Sequence, residues 1–167
     1  MKLELLFAVS TLTVLPCWLL MIALPHWGLT RRLLGSPAVL LPIPVLYVVL
    51  VVWHWRLLAL LVAEPTLPTV ALILGEPEGA LLGWLHFLAL DFVAGRWIYL
   101  DSLDRQLPTL TVTPILWATL LLAPLGVLLY VLLRSCVALP EQPDESPMLS
   151  PVTPPAASAL SARKPGR

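Results

Sequence analysis

Charge is what this chain of 167 residues is short of: Asp, Glu, Lys and Arg make up only 12% of it, against about a quarter in an ordinary soluble domain. So little charge cannot hydrate a globule in water. The 10 basic and 10 acidic side chains cancel to a formal charge of +0, which leaves no basic field to attract a phosphate backbone and excludes nucleic acid as a partner. Cysteine is scarce as well. Cys17 and Cys136 lie far apart, giving neither a metal-ligand spacing nor a disulfide framework, and both read as small apolar packing residues. No flavin, haem or nucleotide motif is present, so no cofactor and no metal is expected.

Hydrophobic length is what the chain has in excess, with 59% apolar residues. A helix needs about 20 mostly apolar residues to cross a hydrocarbon core of about 30 Å, and four stretches qualify. The first covers 3–24. Its length and the absence of a small-x-small cleavage site before Pro25, His26 and Trp27 separate it from a secretion signal. The second covers 39–62, with Pro42 and Pro44 in its opening turn, where missing amide donors cost least. The third, 80–100, contains His86, Asp91 and Arg96, and the fourth, 114–133, opens on Pro114 and closes on Arg134, whose cation complements the terminal carbonyls.

Four crossings joined by short connections predict an all-α integral membrane protein. The expected fold is an antiparallel four-transmembrane-helix bundle over 1–139, multi-pass in a bacterial inner membrane, with the lipid bilayer as partner and homo-oligomerisation open. From Pro140 to Arg167, prolines alternate with Ser, Ala and a few charges. Such a segment cannot bury enough apolar surface to offset its ordering entropy, so 140–167 is expected to be a disordered C-terminal tail. Orientation is balanced. Lys2 and Arg134 fall on the side of the termini, against Arg31, Arg32 and Arg105 on the other; adding Arg163, Lys164 and Arg167 from the tail tips the count towards termini inside.

An ionisable group at a helix centre in a bilayer costs about 2.5–3.5 kcal/mol on insertion scales, so Asp91 asks for a reason. Each residue turns a helix by about 100°, which puts Asp91 on a stripe with Trp84, Leu88 and Gly95 and points Arg96 about 140° away. Gly95 beside Asp91 implies a close helix approach. In an antiparallel arrangement His54 and His86 sit at matching depth, about 9–12 Å below the surface, with Arg56 about one turn shallower. If the two faces meet, they form a polar layer above Asp91. The plainer readings are that His54 and Arg56 lie at the headgroup boundary, that His86 makes an interhelical hydrogen bond, and that Trp27, Trp97 and Tyr99 form an aromatic belt.

The run Gly83-Trp84-Leu85-His86-Phe87-Leu88-Ala89-Leu90-Asp91, followed by Gly95-Arg96-Trp97 and Asp101, resembles the hallmark of the abscisic-acid-deficient-four-like family, and 114–116 with 123–130 resembles its second signature. The chain departs from the pattern at Phe87, where the family has Tyr, at Leu90, where it has Phe, and at Ala123, where it has Gly. Plant members of that family are chloroplast membrane proteins required to form neoxanthin from violaxanthin, a carotenoid epoxide opened to an allenic alcohol. The resemblance implies a carotenoid or related isoprenoid as ligand and a carotenoid epoxide isomerase-like activity. Asp91, His86 and Arg96 would be the catalytic set, supported by His54, Arg56, Trp84, Gly95, Trp97 and Asp101. A carboxyl and an imidazole in an apolar cavity can deliver and remove the two protons such an isomerisation moves. Two other readings remain open from the residues: a small oligomeric transporter or proton relay through Asp91 and His86, and a structural membrane partner in which Asp91 and Arg96 only hold helices together.

Overall fold

The computed structural model describes residues 2–137, and among these every regular element is helical. The expected tail, 140–167, lies outside the described residues. Helix α1 (Lys2–Ala23) keeps its hydroxyls on its own backbone: Ser10 and Thr11 donate to the Phe7 carbonyl at 2.8 and 2.9 Å, and Thr13 donates to that of Val9 at 2.7 Å. After a turn, the short helix α2 (Gly28–Gly35) is followed by a 3-10 turn (Pro37–Leu40) and α3 (Pro42–Trp53), with a bend of 73° between α2 and the segment Pro37–Trp53. Three further helices follow, α4 (Trp55–Ala63), α5 (Leu67–Gly75) and the long α6 (Pro77–Asp104). The last two are α7 (Thr109–Leu121) and α8 (Ala123–Cys136).

The centre of the molecule is the pair α1 and α6, which run parallel. Phe7 packs on Trp84 with ring centroids 5.0 Å apart, Trp18 lies over Gly95, and the Tyr99 hydroxyl donates to the Pro25 carbonyl at 2.7 Å, so both chains ascend together. Lipid tails are as apolar as leucine, so close packing rather than escape from water holds such helices together. Gly95 makes the approach: a Cβ there would lie 2.8 and 2.9 Å from the Cζ3 and Cζ2 carbons of Trp18. Trp18, Met21, Leu85, Ile98, Tyr99 and Tyr130 belong to the core that α6 shares with α1 and the last two helices, all at most 2% exposed. The outside is equally apolar, with Leu12, Val52, Leu110 and Leu128 all more than half exposed, a surface suited to lipid.

Two helices, Leu3–Ala23 and Pro77–Asp104, are long and apolar enough to cross a membrane, and a third crossing is counted if the bent pair Gly28–Gly35 and Pro37–Trp53 is one span. At about 1.5 Å per residue α6 is about 42 Å long and extends past the expected 80–100 at both ends. The expected second crossing, 39–62, is one apolar run but not one helix. It opens as a 3-10 turn and is interrupted at His54, which closes α3 and opens α4.

The expected fourth crossing, 114–133, is overturned as a single helix. Leu122 leaves the helical region at φ −148 and ψ 79. Two residues later Pro124 has no amide to donate to the Leu120 carbonyl, and its ring would clash with that carbonyl in a continued helix. The chain reverses there. Gly126 then packs against Thr119, where a Cβ would lie 2.5 Å from the Thr119 Cα and N. Both ends of the resulting hairpin return to the same end of α6: Thr109 hydrogen-bonds His26 at 2.8 Å beside the end of α1, and the Val137 carbonyl accepts from Arg105 Nη1 at 3.3 Å. Each arm is about 20 Å long, short of the roughly 30 Å core.

Candidate functional site

A cavity of about 270 Å³ opens between α3, α4, α5 and the first half of α6. Its polar groups are Tyr47, His54 and His86; Leu57, Leu74 and Phe87 are among the apolar side chains that make up the rest of the wall. Three local features build it. The break at His54 (φ −105, ψ 33) ends α3 and starts α4 while the backbone stays bonded, the His54 amide donating to Leu50 at 2.8 Å and the Leu57 amide to His54 at 2.9 Å. Gly79 and Gly83 let α5 lie on α6: a Cβ at Gly79 would meet the Ile73 carbonyl carbon at 2.7 Å, and one at Gly83 the Leu74 Cδ2 at 2.9 Å. The third feature is the Tyr47 ring, which packs against His86 with centroids 5.7 Å apart and planes inclined at 51°.

His54 and Tyr47 are half-buried, while His86 is exposed on the open side, its ring 6.3 Å from that of Phe87 in an edge-on arrangement. His54, from the α3–α4 junction, and His86, from α6, both line this cavity. Arg56 is exposed and outside the lining.

Asp91 is elsewhere. It is half-buried, five residues beyond His86, on the stripe between Trp84 and Gly95, both of which touch α1; the Trp84 indole donates to Thr11 Oγ1 at 3.1 Å. Among the described residues its carboxylate has no hydrogen-bond or ion-pair partner. The structure therefore places Asp91 outside the cavity that holds His86. Arg96 is separated too, and its surroundings are structural: Nε donates to the Leu34 carbonyl at 2.7 Å and Nη2 to that of Gly35 at 3.1 Å. These are unpaired acceptors at the C-terminal end of α2, where a cation also complements the helix dipole.

A second polar cluster closes the far end of α6. The Asp101 carboxylate accepts from Arg105 Nε at 2.8 Å and from the Tyr130 hydroxyl at 2.7 Å, with Arg134 Nε at 3.5 Å. Trp97 meets Tyr130 edge-on at 5.3 Å and lies 5.7 Å below the Arg134 guanidinium. One carboxylate thus ties α8 to α6. Asp101 and Trp97, expected to support the site, lie in this cluster against α8 and outside the cavity lining. Tyr47, Arg105, Tyr130 and Arg134 are partners that the sequence reading does not identify. Tyr47 offers one signal, a phenol in the otherwise aliphatic run Val45 to Val52.

An all-helical integral membrane protein with a side-opening apolar cavity bearing two imidazoles is the class this architecture defines. The chain belongs to the ABA DEFICIENT 4-like family, whose model matches residues 5–130, from the first turns of α1 to Tyr130. Protein ABA DEFICIENT 4, chloroplastic, of Arabidopsis thaliana is 28% identical over 109 residues, which cover 62% of this chain and 50% of that one. The chain therefore spans about half the length of the curated relative it matches. No solved structure matches.

Proposed function

We propose that the protein holds the polar end of a carotenoid or related isoprenoid in the cavity between α3, α4, α5 and α6, with His54, His86 and Tyr47 as its polar contacts. The observation that carries this reading is the lining itself: two imidazoles and a phenol in a wall that is otherwise almost wholly aliphatic or aromatic. A volume of about 270 Å³ is at the small end for ligand pockets. It takes one end group of a long hydrocarbon and leaves the rest in the surrounding lipid. The open side permits this.

The same groups suit the reaction that the family resemblance implies. Opening an epoxide to an allenic alcohol breaks one C–O bond, adds a proton to the oxygen and removes one from a polyene carbon. No electrons are gained or lost, so no redox partner is required. A protonated imidazole donates to the oxygen as the bond breaks and a neutral one accepts from carbon, the division of labour expected of general acid–base catalysis. Asp91, without a partner among the described residues and apart from the cavity, is left out of the proton path in this reading, and Arg96 positions α2.

The test is expression in a carotenoid-producing bacterial host. Pigment co-purifying with the protein and the pigment profile of the cells are compared among the wild type, His86→Ala, His54→Ala and Asp91→Asn. The expected result is co-purified pigment that falls at least tenfold in either histidine variant and persists in Asp91→Asn. Pigment-free wild-type protein from every such host, or loss confined to Asp91→Asn, overturns the proposal.

A further inference from the structure

Folding 109–136 into a hairpin redistributes charge along the molecule. At the end where α6 begins lie Lys2 and Arg56 with Glu4, Glu64, Glu76 and Glu78; at the end where it finishes lie Arg31, Arg32, Arg96, Arg105 and Arg134 with Asp101 and Asp104. Among the described residues the first end is net acidic. The second is net basic, because Arg134 returns with α8 to the end that already holds the α2 arginines, and it shares the single carboxylate of Asp101 with Arg105.

Helix α2 has the form of an interfacial element. It stands at 73° to the segment that follows it, and its faces are segregated. Thr30 and Leu34 are buried against the bundle, and Leu29 (50% exposed) and Leu33 (38% exposed) continue that apolar arc outward, with Trp27 (51% exposed) just ahead of them. Arg31 and Arg32 occupy the opposite arc and are exposed, Arg31 being steadied by a 3.1 Å hydrogen bond to His26 Nδ1. An apolar stripe below and cations above is the arrangement of a helix lying between acyl chains and headgroups. Arg96 keeps it there by holding its last carbonyls.

We infer that α2 and the arginine-bearing end of the bundle are seated on anionic phospholipid headgroups, with Leu29 and Leu33 dipped into the acyl layer. Zwitterionic lipid supplies the same apolar layer but no net negative charge, so the chemistry singles out phosphatidylglycerol-type headgroups. Each cation near an anionic surface strengthens binding about fivefold, so losing both α2 arginines weakens it about 25-fold. The same seating puts Glu76 and Cys136 on opposite faces of the membrane. This rests on the membrane placement of the protein and is independent of what the cavity binds.

Two measurements test it on the full chain. Purified protein in neutral detergent is titrated with short-chain phosphatidylglycerol or phosphatidylcholine and its unfolding temperature followed. Phosphatidylglycerol is expected to raise it in the wild type and to require about 25-fold more lipid in Arg31→Gln/Arg32→Gln. Equal effects of the two lipids, or an unchanged phosphatidylglycerol response in the double variant, overturn the inference. In the second, a membrane-impermeant maleimide is applied to sealed right-side-out and inverted vesicles. The exposed thiol of Cys136 and one introduced as Glu76→Cys in a Cys136→Ser background are expected to label in opposite preparations, with Cys136 reached from the cytoplasmic face. Labelling of both in the same preparation, or Cys136 reached only from outside, overturns it. The pigment assay is unaffected by either outcome, so the two readings fail separately.

Discussion

Gly95→Ala tests whether close approach of α1 and α6 is what holds the centre of the bundle. The added methyl would lie 2.8 and 2.9 Å from two ring carbons of Trp18. That indole is 2% exposed and walled in, so it cannot swing aside cheaply. Overpacking of this kind costs about 3 kcal/mol at the upper end of its usual range, offset by about 1 kcal/mol from the better helix propensity of Ala. The net loss is about 2 kcal/mol, or a fall of about 4–8 °C in Tm for a chain of this size. Thermal unfolding in detergent, read by tryptophan fluorescence, measures it directly. Gly35→Ala is the control, since a Cβ there meets nothing within 4 Å and the same assay should show no loss. Adding Trp18→Phe to Gly95→Ala relieves the crowding, so the double variant should be more stable than the sum of its parts by about 1 kcal/mol. A Gly95→Ala protein that melts at or above the wild-type temperature would refute the packing argument.

Gly126→Val should prevent the α7–α8 reversal, because its neighbours are the backbone atoms of Thr119 and cannot move away; the expected outcome is little or no monodisperse protein on size-exclusion chromatography. Tyr130→Phe removes a 2.7 Å hydrogen bond to the Asp101 carboxylate, a bond to a charged group worth about 1.5–3 kcal/mol, and should lower Tm while leaving pigment retention unchanged. Arg96→Leu leaves the Leu34 and Gly35 carbonyls without their donor, so amide exchange across 28–35 should quicken about tenfold or more, with exchange in α6 unaltered.

The long apolar stretches and the family were legible in the sequence because hydrophobic length and a rare polar pattern inside a hydrophobic run are both local properties. That His54 and His86 line one cavity agrees with an antiparallel course of the chain between them. Chain direction was not legible at Leu121-Leu122-Ala123, since hydropathy does not distinguish a helix that continues from one that turns back. Pro124 is the local signal of the break within 114–133. That one reversal also carried Arg134 to the opposite end and left the charge count balanced where the folded chain is lopsided. Asp91 shows a different limit: the price of a mid-depth carboxylate is visible in the sequence, but the face it occupies depends on which neighbour the stripe meets, and here that neighbour is α1.

The parallel register of α1 and α6 constrains how the protein is made. Two helices laid side by side in one direction require the chain to travel back between them, so everything from α2 to α5 is synthesised before α1 receives its partner. Through that interval the first helix has only α2 beside its end and lacks the long face that α6 will cover. Its Ser10, Thr11 and Thr13 hydroxyls have already found acceptors one turn back on their own helix, so the orphaned segment shows lipid almost nothing that wants water. Biogenesis of this bundle can therefore tolerate a long pause between the insertion of α1 and the arrival of α6.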